Sequence, residues 1–145
     1  MPANLLINPD GANFQAQAVL AMVRREIGEG LEETYDAQKD WQADYYVGRF
    51  ENGREQGYAV SLVDRRPSLE GTRQINVVFY EGRSSDNIGL IVFERYCATR
   101  TLRIEDIPED YWAEHTQYFG YGKVTEAALA VVAALKTFWN EGKPL

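Results

Sequence analysis

Catalytic and metal-binding side chains are scarce in this chain. Its 145 residues contain one cysteine, Cys97, and one histidine, His115. A lone cysteine forms no internal disulfide and fits a reducing compartment. A structural zinc site needs four Cys or His ligands, more than the chain possesses. Carboxylates alone could hold Mg²⁺ or Ca²⁺, but no EF-hand spacing is present. There is no G-x-S-x-G elbow, no G-x-G-x-x-G and no Walker-type loop. No cofactor is expected.

Long apolar runs are missing too. The longest, Ala127–Leu135, is nine residues, and a membrane helix needs about 18. No basic residue precedes Arg24, and Leu5–Ile7 is too short for the apolar region of a signal peptide. The expectation is a soluble, cytoplasmic protein without a membrane partner. Ordinary composition, with 45% hydrophobic and 26% charged residues, excludes a disordered tail or a fibre. The length suits one domain spanning 1–145.

Periodicity supplies the architecture. Ala16, Val19, Leu20, Val23 and Ile27 recur at helical spacing, so a helix is expected over Asn13–Ile27, stopped by Gly28. Residues 28–44 are acidic and weakly patterned and read as a connection, with a short helical or extended piece around Leu31–Ala37 and with Trp41 pinning it to the core. Strands are expected at Tyr45–Phe50, Gly57–Asp64, Thr72–Tyr80 and Ile88–Tyr96, with Asn52-Gly53 as a turn signal. A fifth strand or a continuation is expected at Thr99–Ile104. Pro108-Glu109-Asp110 opens a short helix. The last helix is expected over Lys123–Asn140. Val124, Ala127, Val131, Leu135 and Phe138 form one apolar side of it; Leu129, Val132 and Trp139 form another, so the helix is either deeply buried or covered by a partner. The fold class is therefore α+β: a four- or five-stranded antiparallel meander, with the N- and C-terminal helices packed on one face.

Net charge is -7, which disfavours nucleic acid. The charge is uneven. Residues 1–44 carry net -5, residues 45–103 net +2 and residues 104–145 net -4. Every basic residue of the middle segment is Arg, the side chain suited to bidentate and stacked contacts. Alternation sets Arg49 with Tyr45 and Val47, and Arg95 with Ile91 and Phe93.

Chemistry is weighed residue by residue. A Cys97–His115 dyad has no local signature, and a thiol after an apolar strand is usually inert. A serine triad would have to use His115. Gly120-Tyr121-Gly122 before the last helix is a weak anion-site signal, since glycine commonly enters helices. Glu105, Asp106, Glu109, Asp110 and Glu114 read first as a solvated acidic helix start. Tyr111, Trp112, Tyr118, Phe119 and Tyr121 crowd one short segment. They either cap the open end of the core or form a binding surface.

The expectation from these residues is a non-enzymatic protein-interaction module with an adaptor, immunity, chaperone-like or inhibitor role. Its contacts are Tyr111, Trp112, Tyr118, Phe119 and Tyr121, or an Arg face bearing Arg49 and Arg95. The partner is another protein, with a twofold homodimer through the C-terminal helix or sheet face as a second interaction. The alternative is a small-molecule module whose pocket is lined by Trp41, Tyr46, Tyr58, Phe79 and Trp112.

Overall fold

The computed structural model describes residues 14–36, 43–52, 55–64, 66, 71–82, 87–97 and 107–142. Their order is α1 (Phe14–Asp36), β1 (Ala43–Asn52), β2 (Glu55–Asp64), β3 (Thr72–Gly82), β4 (Ile88–Cys97), α2 (Glu109–His115), β5 (Gln117–Phe119) and α3 (Val124–Glu141). The five strands form one sheet in the order β1-β2-β3-β4-β5. Every neighbouring pair is antiparallel. This is the expected α+β meander.

Strict alternation divides the sheet into two faces. The first carries Val60, Leu62, Ile75, Val77, Phe79, Ile88 and Leu90, which pack with α1 and α3 into the main core. The apolar stripe of α1 seats as its spacing predicts, with Ala16, Val19, Leu20, Val23 and Ile27 all buried. The second face carries Ala59, Val78, Tyr80 and Ile91. With Phe50 and Ile107 they make a smaller core that α2 covers through Tyr111 and Trp112.

Two sequence expectations are corrected. First, α1 does not stop at Gly28 but runs on to Asp36. An internal glycine costs a helix only about 1 kcal/mol relative to alanine. Here Glu29, Leu31, Glu32 and Glu33, all good helix formers, carry the helix onward. Second, the aromatic segment contains a strand, β5, paired to β4 from Leu90↔Gln117 to Ile88↔Phe119. Three residues are too few for alternation to reveal. The second apolar side of α3 follows the deep-burial alternative at Val132 and Trp139, which are buried, while Leu129 is exposed. Trp41 and the expected strand at 99–104 lie outside the described residues.

Two polar clusters fix the helices to the sheet. At the α3 C-terminus, Arg73 Nη1 donates to the Phe138 carbonyl at 3.0 Å and Arg66 Nη2 to the Trp139 carbonyl at 2.6 Å. Helix ends leave such carbonyls without intrahelical partners, and cations there oppose the negative end of the helix dipole. Asp64, almost fully buried, bridges both guanidinium groups at 2.9 and 3.3 Å. Arg66 also stacks over the Trp139 ring, 3.4 Å from its centroid. At the α1 N-terminus, Glu81 accepts from the Ala16 N–H at 3.1 Å and from Gln15 Nε2 at 3.2 Å. Gln15 Oε1 in turn accepts from the Gly122 N–H at 2.9 Å. One side chain thereby ties α1 to the turn that enters α3.

Candidate functional site

One rung of the second face alternates aromatic residues with glycine. Phe50 pairs with Gly57, Gly57 with Tyr80, Tyr80 with Gly89, and Gly89 with Tyr118. Glycine inside a strand marks close approach of other groups. Here the Tyr80 ring lies across Gly89: a Cβ added there would stand 2.5 Å from Tyr80 Cζ. Trp112 descends from α2 onto the same rung. It stacks on Phe50 at 5.4 Å between centroids and tilts against Tyr80 at 6.2 Å. Such pairs add to the area they bury.

Tyr111 anchors the other side of α2. Its ring meets Phe93 edge-on at 4.8 Å, and its hydroxyl donates to the Val92 carbonyl at 2.7 Å. Pairing of β4 with β5 ends at Leu90. The hydroxyl therefore satisfies a carbonyl where the strand partner has run out. Burial holds the Tyr111 phenol above its ordinary pKa, and the Glu94 carboxylate adds to the effect. His115 stacks on Tyr111 at 3.9 Å, with Nδ1 3.1 Å from the Tyr111 carbonyl. That is the position of a residue closing the last turn of a helix.

The aromatic segment thus splits into two groups. Tyr111 and Trp112 are half-buried and roof the second core. Phe119 turns to the opposite face and packs against the main core. Tyr118 and Tyr121 are 62% and 73% exposed. Tyr118 continues the aromatic rung to the outermost strand, and Tyr121 lies in the turn leading to α3. Beside them, α2 presents Glu109, Asp110, Ala113 and Glu114 to solvent.

The remaining candidates fall elsewhere. Arg49 is exposed and shares the first face with Val47, whereas Arg95 sits opposite Gln74 in the register of the second face. The two arginines therefore do not build one Arg face; the side chain of Arg95 is outside the described residues. Tyr58 and Phe79 belong to the main core and Trp112 to the second. The sheet separates them, so no single pocket is lined by all three. The Gly122 N–H is already used by Gln15, which removes one donor from any anion site at the start of α3. Ser61 donates to Asn76 Oδ1 across β2 and β3. Cys97 ends β4 opposite Thr72. Among the described residues no group of three or more His, Cys, Asp or Glu is placed to hold a metal ion. Among them, too, no helix is long and apolar enough to cross a membrane.

Sequence reasoning singled out the aromatic cluster but missed the rung that organises it. Gly57 and Gly89, each inside a strand pattern, were the available signal. No protein-family model, curated protein or solved structure matches the chain.

Proposed function

We propose that this protein is a non-enzymatic, cytoplasmic protein-interaction module whose contact surface is the outer end of the aromatic rung. The observation that carries the reading is the exposure of Tyr118 and Tyr121, 62% and 73%, on β5 and in the turn before α3. Tyrosines give large contact area with few rotors to immobilise, and hot spots are enriched in them. The layers beneath are closely packed: Trp112 on Phe50, and Tyr80 against Gly89. A surface held in place before contact loses less entropy on association. The exposed carboxylates of α2 supply a polar rim and favour a partner with basic groups facing them.

The small-molecule alternative loses support because Tyr58 and Phe79 lie on the opposite face of the sheet from Trp112.

The test is binding to a partner isolated with the wild-type chain. Titration calorimetry of Tyr118→Ala and Tyr121→Ala against that partner should show affinity reduced at least tenfold for one of them, the scale of about 1.4 kcal/mol or more. Unchanged affinity for both variants and for their combination overturns the assignment.

A further inference from the structure

We propose that the outer edge of β1, which no described strand pairs, joins β1 of a second copy of this chain, uniting two sheets about a twofold axis at Val47. The two edges of the sheet are treated differently. On the far side β5 is only three residues long, and the Tyr111 hydroxyl takes the Val92 carbonyl beyond it. Short edge strands and capped carbonyls are the usual protections against strand pairing. On the near side β1 runs for ten residues. Its register with β2 is unbroken from Ala43↔Asp64 to Asn52↔Glu55, so no bulge twists it away. It contains no Lys and no Pro; its charges are Asp44, Arg49 and Glu51. Among the described residues no strand pairs with its outer side.

The register also says which backbone groups are offered. Asn52 and Glu55 close a two-residue hairpin, and such a closing pair exchanges its hydrogen bonds inward. Alternation then turns the N–H and C=O groups of Ala43, Tyr45, Val47, Arg49 and Glu51 outward. Antiparallel pairing of two identical strands needs a twofold axis through a residue, because residues directly opposite share a face. Val47 and Gly48 are the two centres that use the strand most fully. Gly48 is exposed, and a Cβ added there would meet nothing within 4 Å. A centre at Gly48 sets two bare glycines against each other. A centre at Val47 sets Tyr46 of one copy opposite Gly48 of the other, repeating the aromatic–glycine rung already built inside the sheet. It also sets Tyr45 opposite Arg49 and places no like charges opposite one another. Aromatic residues facing edge glycines are a recognised way of fixing register.

The proposal is independent of the Tyr118 surface and is tested separately. Light scattering on the full chain should give twice the 16.5 kDa chain mass at high micromolar concentration. Arg49→Pro removes only an outward N–H, which edge strands tolerate, and should give a folded monomer by circular dichroism and scattering. Arg49→Ala should remain a dimer. If Arg49→Pro fails to fold, paired cysteine variants in a Cys97→Ser background decide the matter. Val47→Cys should bridge under mild oxidation. Gly48→Cys should not, since its two copies would stand about 8 Å apart, beyond the roughly 7 Å limit for a disulfide. A one-chain mass at every concentration, a folded Arg49→Pro dimer, or bridging by Gly48→Cys in place of Val47→Cys overturns the proposal.

Discussion

The ring of Tyr80 occupies the space beside Gly89 where a side chain would stand, 2.5 Å from an added Cβ at its Cζ. The relationship determines where Trp112 can rest and how the aromatic rung reaches Tyr118. Gly89→Ala should lift Tyr80 from the sheet and disturb its contact with Trp112. Overpacking of this kind costs about 1–3 kcal/mol. Urea denaturation should show the loss, and Trp112 fluorescence in the folded state should shift with it.

Trp112 and Tyr118 should respond oppositely to truncation. Trp112 is half-buried and stacked on Phe50. Trp112→Ala should cost about 2 kcal/mol, less than a fully buried tryptophan. Tyr118→Ala, at 62% exposure, should change stability by no more than about 0.5 kcal/mol. Parallel denaturation curves check both values. A large loss on truncating Tyr118 would make it a structural residue.

The hydroxyl of Tyr111 has two measurable effects. Tyr111→Phe deletes the bond to the Val92 carbonyl and should cost about 1 kcal/mol near neutral pH. The second effect appears at high pH. The folded-state pKa of this phenol is raised, so its contribution is complete below the ordinary tyrosine value of about 10. It is lost as pH rises from there through the folded value, because the unfolded chain releases its proton first. Stability of the wild type should therefore fall more steeply above that point than stability of Tyr111→Phe. Identical slopes would contradict the buried-hydroxyl account.

Asp64 holds two arginines against the end of α3. Asp64→Ala leaves both guanidinium groups without their shared carboxylate in a nearly buried site. Breaking such a cluster from one side costs about 3 kcal/mol. Hydrogen exchange should quicken in the last turn of α3, around Phe138 and Trp139, more than in α1. Uniform loss across both helices would mean that the cluster does not act locally.

Much of this fold was legible because its elements are long. The apolar stripe of α1, the alternation of β2, β3 and β4, and the buried positions of α3 all follow from side-chain period. What escaped depends on contacts distant in sequence. Gly28 reads as a helix stop, yet α1 continues because strong helix formers follow it. The strand β5 is three residues long and exists through its pairing with β4. The aromatic segment reads as one cluster because Tyr111 to Tyr121 are close in the chain. In space the sheet sorts them, with Phe119 to one core, Trp112 to the other, and Tyr118 and Tyr121 to solvent. Alternation groups Arg49 with Val47 and Arg95 with Ile91 and Phe93, but only the register sets those two groups of positions on opposite faces of the sheet.

Site-specific photo-crosslinking in the native cell tests the central claim most directly. A photoreactive phenylalanine analogue at position 118 or 121 should capture one and the same discrete protein. The same probe at Thr137, exposed on α3, should not. The adduct from position 118 should weaken when Tyr121 is replaced by alanine. The absence of an adduct from both positions, or an equal adduct from Thr137, would contradict the account.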